Sequence, residues 1–213
     1  VLELCKTRLP DNMHIPAEQI QVLTPTRKGP CGTVNLNRLL QEALNPKAPG
    51  KREILWGERV FRVGDRIMQT RNDYDVVWQK ADGTVGTGMF NGDVGRIVEI
   101  DQSGEWLALD FDGRTAPYST EMLSEIDLAY AQTVHKAQGS EYRCVVLATM
   151  PSAPSLMVRG VLYTALTRAR KLLVMVGDDA AVRSMAANDK QQKRYSGLKW
   201  RLCHAGDASE YNG

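Results

Sequence analysis

Residues 131–149 read Ala131-Gln132-Thr133-Val134-His135-Lys136-Ala137-Gln138-Gly139-Ser140-Glu141-Tyr142-Arg143-Cys144-Val145-Val146-Leu147-Ala148-Thr149, and their reading decides the fold class. The run from Cys144 to Thr149 is short and continuously apolar, the pattern of a strand buried on both faces of a parallel sheet. The more polar run ahead of it, Ala129 to Ala137, is expected to be helical and to stop at Gly139. Gln132, Thr133, His135, Lys136, Gln138 and Glu141 crowd this junction. They cannot all be buried without partners. Such a cluster beside a parallel sheet is where α/β folds place ligands. A solvated helix carrying His135 on its surface explains the same residues, and periodicity leaves the two readings level.

The pattern extends in both directions. Downstream, Val158 to Ala169 spaces Val161, Leu162, Ala165 and Leu166 as one helical face. Lys171 to Val176 reads as a second buried strand ending at Gly177-Asp178-Asp179, and Ala180 to Ala187 as a last helix. Upstream, Gln19 to Leu23 reads as a strand running into the loop Thr24 to Gly32. Thr33 to Leu44 then carries Leu36, Leu39, Leu40 and Ala43 at helical spacing. Thr33 or Asn35 is the expected cap, and Asn45-Pro46 ends the helix. Strands alternating with helices call for a parallel sheet. Between these halves the texture changes. Short β-patterned pieces alternate with the turn signals Asp82-Gly83, Asn91-Gly92 and Asp112-Gly113, which predicts a small β-barrel of SH3 type. The expected organisation is one α/β domain built from residues 1–55 and 126–187 and split by a β insert at 56–125. Residues 188–213 form a polar tail with Lys190, Lys193, Arg194, Lys199 and Arg201, readable as a linker, a loose end or a basic arm.

Bulk properties exclude more than they assign. A formal net charge of +2 over 213 residues cannot establish a nucleic-acid partner, so local placement must. No apolar run approaches the roughly 18 residues of a membrane span. Cys5, Cys31, Cys144 and Cys203 are scattered without a Cys-x-x-Cys pair, which argues against zinc and for reduced thiols in a cytoplasmic protein. The sequence opens at Val1 without an initiator methionine, as expected of a piece of a longer chain.

Two further stretches carry chemistry. Arg168 and Arg170 stand at a helix end just before a buried strand. Cations there are favourable by about 0.3–1 kcal/mol each as helix caps, and the same geometry suits a guanidinium that neutralises charge on a γ-phosphate. Spacing alone does not choose. Thr26-Arg27-Lys28-Gly29 is a basic loop after a strand, able to meet phosphate, although by itself it is more simply a solvated turn.

Together these stretches resemble the RecD-type superfamily 1 DNA helicases. Gln21-Val22-Leu23-Thr24-Pro25-Thr26-Arg27-Lys28-Gly29 resembles motif IV, Phe90-Asn91-Gly92-Asp93-Val94-Gly95-Arg96-Ile97 the hairpin of the SH3-like insert, Ala131 to Glu141 motif V, and Leu162 to Arg170 motif VI. The resemblance implies a RecA-like second motor domain interrupted by an SH3-like barrel. It implies that Arg168 acts as an arginine finger and Arg27 as a second phosphate-sensing group, with Lys28 able to substitute. Gly139 and Glu141 would meet ATP, Arg170 would pair with phosphate or cap its helix, and Gln138 would couple the ATP and DNA sides. Thr133, His135 and Lys136 would touch single-stranded DNA, and Arg71 and Arg96 would help the insert guide it. This reading requires Arg168 to project from the open, carboxyl-terminal ends of the parallel strands and not to fold onto its own domain.

No Gly-x-x-x-x-Gly-Lys-Ser/Thr occurs in these residues and no Walker B Asp-Glu pair, so the Mg²⁺ ligands and most of the triphosphate cradle are expected in a first RecA-like domain outside them. The chain alone is therefore expected not to hydrolyse ATP, and recombination or nuclease subunits are possible partners. The resemblance implies 5′ to 3′ movement. Two alternatives remain: a Pif1-like or conjugative relaxase helicase sharing these motifs, and a non-catalytic nucleic-acid-binding module that uses the barrel as its surface.

Overall fold

The computed structural model describes residues 1–189 together with positions 197 and 203; the basic tail expected at 188–213 lies almost wholly outside the described residues. A helical N-terminal segment, a π-turn at Leu4–Arg8 running into α1 (Leu9–Met13), leads to strand β1 (Ile20–Thr24) and helix α2 (Thr33–Leu44). The insert follows as β2 (Glu53–Trp56), β3 (Arg59–Arg62), β4 (Arg66–Gln69), β5 (Asp73–Gln79), β6 (Val85–Met89), β7 (Val94–Ile100), β8 (Trp106–Phe111), β9 (Arg114–Ser119) and β10 (Ile126–Leu128). The chain then returns through β11 (Ala131–Thr133), β12 (Tyr142–Thr149), α3 (Arg159–Leu166), β13 (Ala169–Gly177) and α4 (Asp179–Ala187).

The first sheet is parallel, in the order β11-β1-β12-β13. β1 is buried at all five positions and β12 from Cys144 to Thr149, which is why both read as continuous apolar runs. On one face, Leu36 and Leu40 of α2 and Cys5 and Leu9 of the N-terminal segment cover Ile20, Val22, Cys144 and Val146. On the other, Val161, Leu162 and Ala165 of α3 and Ala181 and Met185 of α4 cover Leu23, Val145 and Leu147. The end of β13 requires glycine. At Gly177 φ is +138°, and a Cβ there would stand 1.7 Å from the Thr149 carbonyl oxygen.

The insert is a seven-stranded antiparallel sheet in the order β10-β4-β7-β8-β9-β5-β6 with the β2–β3 hairpin beside it. It closes on Phe61, Ile67, Ile97, Leu107, Leu109, Phe111 and Tyr118. β10 pairs with β4 (Ile126↔Gln69) and β2 with β3, so the insert runs from 53 to 128, slightly wider than expected.

Two local expectations are corrected. Residues 129–137 are not a helix: Ala131–Thr133 pair with Val22–Thr24 of β1, and consecutive turns follow to Ser140. Pairing with a central strand overrides the local helical composition. Helix α2 is capped by Gly32, with no side-chain bond from Thr33, while Asn35 reaches back to the Pro30 carbonyl.

The parallel sheet and the insert are joined by a buried polar hub. The Asp65 carboxylate, fully inaccessible, accepts hydrogen bonds from Gln41 of α2 (2.6 Å), from Asn45 just after that helix (2.7 Å), from the Tyr130 hydroxyl (2.9 Å) and from the Arg62 amide (2.7 Å). Burial raises its pKa above the usual aspartate range; the four hydrogen bonds oppose that shift without cancelling it. Arg62 beside it, 6% exposed, pairs with Glu42 (2.6 Å) and Glu53 (2.9 Å).

Candidate functional site

The singled-out residues fall on two opposite edges of the parallel sheet. The first is the carboxyl-terminal edge, where β1 and β11 end side by side at Thr24 and Thr133. The basic loop leaves β1 there and folds back onto α2, with the Thr33 and Val34 amides bonding the Thr26 and Arg27 carbonyls. Gly32 lies so close beneath this loop that a Cβ would stand 2.5 Å from the Arg27 and Lys28 main chain. Arg27 and Lys28 are thereby held outward, and Arg27 reaches Asp127 at 3.8 Å while Arg59 holds the other oxygen of that carboxylate at 2.6 Å.

Thr133 turns the chain on this same edge: its hydroxyl accepts from the Lys136 amide (3.3 Å) and its carbonyl from the Ala137 amide (3.2 Å). Lys136 is half-buried, and that burial lowers its pKa; Asp127 opposes the shift and Arg27 adds to it. Arg27, Lys28, Thr133 and Lys136 line one cleft of about 830 Å³ between α2, the β2–β3 hairpin and β11, together with Arg38 and Arg59. Arg59, Asp127 and Gln132 were not assigned from the sequence. Gln132 is 2% exposed, lines the cleft, and accepts from the Tyr142 hydroxyl at 3.4 Å. Its membership of the polar run was a usable signal, whereas Arg59 sits in an unremarkable hairpin.

The second edge is amino-terminal. Gly139, Ser140 and Glu141 precede β12, and Arg168 precedes β13, with the Arg168 carbonyl accepting from the Tyr142 amide (2.8 Å). The Arg168 guanidinium binds the Ser140 carbonyl (2.9 Å), the Thr164 carbonyl (3.2 Å) and the Thr167 hydroxyl (3.2 Å). Arg170 and Glu141, both well exposed, pair at 2.6 Å. Gly139 has φ +86° with open space over its Cα, so a ligand can approach its backbone. His135 and Gln138 are exposed on the turn joining the two edges, over the buried Val134 and Ala137.

Two expectations fail here. Arg168 does not project from the carboxyl-terminal ends of the strands; it sits at their amino-terminal ends, with its side chain bonded to its own domain. Arg27 and Arg168 therefore do not converge on one phosphate. The five residues of β1, at about 3.3 Å each, separate their edges by roughly 15 Å.

Nor is the insert a basic surface. Residues 53–128 hold fifteen Asp and Glu against seven Lys and Arg, a formal −8, whereas the rest of the chain holds ten against twenty, +10. Arg71 pairs with the buried Glu125, and Arg96 faces Glu18 at 3.5 Å. Such a field repels a polyanion, which counts against the barrel as a nucleic-acid module and against these two arginines as its contacts.

Two family models match successive stretches of the chain. Residues 36–111 match the family model described as the ATP-dependent RecD-like DNA helicase SH3 domain, and residues 128–176 match the UvrD-like helicase C-terminal domain. The ATP-dependent RecD2 DNA helicase of Deinococcus radiodurans is 37% identical over 82% of this chain, and the RecBCD enzyme subunit RecD of Mycolicibacterium smegmatis 32% over 89%. The chain spans only 22% and 30% of those two proteins. Among solved structures, the Pif1 helicase from Bacteroides in complex with ADP-AlF3 and ssDNA superposes with a TM-score of 0.53 at 15% identity, over 97% of this chain and 49% of that one, a likeness of fold. Among the described residues no helix is long and apolar enough to cross a membrane.

Proposed function

We infer, from the premise that this chain belongs to the RecD-like DNA helicases, that it is the part of the motor that joins an ATP-responsive edge to a DNA-gripping edge of one sheet. The carrying observation is the course of residues 131–141. That single run leaves the cationic cleft at Thr133, crosses the sheet over Val134 and Ala137, and arrives beside Arg168 at Gly139–Glu141.

In this reading the single-stranded DNA backbone lies along the carboxyl edge. Arg27, Lys28 and Lys136 neutralise phosphates there and Thr133 orients the strand. Arg27 moves from the nucleotide role expected of it to this DNA role. ATP lies at the amino edge, bound also by a P-loop domain that these residues do not include, and any Mg²⁺ is held by that domain. Gly139 admits the nucleotide to the backbone, and Glu141 and Arg170 exchange their mutual pair for contacts to it. The arginine finger in its expected form, free at the open strand ends, is given up; in its place Arg168 starts bonded to its own domain at the amino edge and leaves the Ser140 and Thr164 carbonyls when a γ-phosphate offers a stronger, charge-assisted partner. Withdrawing Arg168 frees the Ser140 turn, and the linked run carries that change to Thr133 and Lys136. Repeated over a turnover, this converts nucleotide state into steps along one strand. Movement is 5′ to 3′ by resemblance to the family.

The test is single-stranded oligonucleotide binding by this chain, followed by fluorescence anisotropy. The Arg27→Ala/Lys136→Ala double variant is expected to lower the slope of log affinity against log salt by about 1.4, at roughly 0.7 for each phosphate no longer neutralised. Arg168→Ala leaves the slope unchanged. Equal slopes for wild type and the double variant would remove the cleft from the DNA path.

A further inference from the structure

Between the motor sheet and the insert lies a second cavity, of about 210 Å³. Its walls mix apolar and polar groups, with Cys5, Ile20, Val22 and Leu40 on the side of the parallel sheet. Two guanidiniums of the insert, Arg66 and Arg96, reach the same space. They stand directly opposite each other on the antiparallel pair β4–β7, so their side chains share a face. Like charges so placed destabilise a sheet. Among the described residues Arg66 has no carboxylate partner. Its side-chain hydrogen bonds run from Nη1 to the carbonyls of Ile20 (3.2 Å) and Glu18 (3.5 Å), leaving Nε and Nη2 without an acceptor among the described residues. Arg96 meets Glu18 at 3.5 Å, a loose and half-exposed pair. Burial together with repulsion from Arg96 holds the Arg66 pKa below the usual arginine range.

A half-buried guanidinium whose Nε and Nη2 have no acceptor among the described residues, facing a second one across a cavity, is a receptor for negative charge. We propose that this cavity binds a small oxyanion of the phosphate class, gripped by Arg66 and Arg96 and gated by the Glu18 carboxylate, which competes for Arg96. The cavity is smaller than the 300–1,000 Å³ usual for drug-sized ligands, so it takes a bare phosphate and not a nucleoside. Because both arginines belong to the insert and Glu18 precedes β1, an anion that displaces Glu18 from Arg96 removes an ion pair between the two parts of the chain. The inference does not require the helicase reading.

The probe is inorganic orthophosphate, titrated at constant ionic strength into the ¹⁵N-labelled chain, with the arginine Nε–Hε resonances followed by NMR and affinity by calorimetry. A saturable shift at the Arg66 Nε is expected, with sulfate competing. Glu18→Gln, an exposed change that leaves the fold intact, tightens binding severalfold by removing the competing carboxylate. Arg66→Met weakens it by roughly tenfold or more, while Arg143→Met, on the same sheet edge but outside the cavity, leaves it unchanged. ADP should compete far more weakly than orthophosphate; equal competition would overturn the size argument. A shift that rises linearly without saturation, a Glu18→Gln affinity equal to wild type, or displacement of phosphate by a single-stranded oligonucleotide would each overturn the proposal.

Discussion

Replacing Asp65 with alanine removes the acceptor at the centre of the joint between the insert and the parallel sheet. Gln41 and Asn45 each keep a second acceptor, the Val60 carbonyl at 2.9 Å and the Val63 carbonyl at 3.2 Å. The Tyr130 hydroxyl and the Arg62 amide have Asp65 as their acceptor and would be left buried without one. At about 1–3 kcal/mol for each orphaned group, Asp65→Ala should cost roughly 2–6 kcal/mol. Relief of the desolvated carboxylate reduces that, so the low half of the range is expected. Asp65→Asn should cost less, because its one acceptor oxygen serves two of the four donors. The pH dependence has a definite sign. The folded pKa lies above the unfolded one, so the native state binds the extra proton, and the contribution is full below the unfolded pKa of about 4. It is lost as pH rises through the folded value. The deficit of Asp65→Asn relative to wild type should therefore shrink as pH is raised from about 4 towards neutrality. Urea unfolding of both proteins across that range measures it. A deficit that grows with pH would mean that the carboxylate is net stabilised in its charged form, and the account of the joint would be wrong.

Other outcomes follow from the same contacts. Gly177→Ala should destabilise by roughly 3 kcal/mol or more, from the positive φ and the clash with the Thr149 carbonyl, seen as a drop in Tm of roughly 6–12 °C; an unchanged Tm would show that the end of β13 can move. Arg71→Ala should leave single-stranded DNA affinity unchanged, since its guanidinium is committed to Glu125; a loss on the order of tenfold, about 1.4 kcal/mol, would return the insert to the DNA path. Glu141→Gln should release Arg170 from its 2.6 Å pair and alter nucleotide affinity without altering DNA affinity, read by titrating a fluorescent nucleotide and an oligonucleotide separately. A change in DNA affinity alone would place Glu141 on the other edge.

Much of this architecture was legible because its signals are local. β1 and β12 are buried apolar runs, α2 and α3 have apolar residues at helical spacing, and the insert is punctuated by Asp-Gly and Asn-Gly turns. β13, expected to be a second buried strand, is instead the edge strand of its sheet with none of its positions buried, because an apolar run does not tell how many neighbours a strand has. The misreading of residues 129–137 as a helix has a plain cause: Ala131–Thr133 form a strand only because β1, more than a hundred residues earlier, offers them a partner. The pairing of Arg96 with Glu18 and of Arg71 with Glu125 is likewise invisible at short range. The two-edged site was readable and was missed. Once β12 and β13 are parallel, residues that precede them, Gly139 to Glu141 and Arg168, must lie at the edge opposite to the residues that follow β1. The acidic character of the insert was also available from counting charges by segment, where the whole-chain value of +2 conceals it.

The most direct measurement is steady-state ATP turnover, with saturating single-stranded DNA, in a protein that joins this chain to a P-loop-bearing RecA-like domain. Arg168→Ala should lower turnover on the order of 10³-fold while leaving oligonucleotide affinity as in wild type. Turnover that survives the substitution would contradict the account, leaving Arg168 as a brace for the Ser140 turn and the amino edge without a role in hydrolysis.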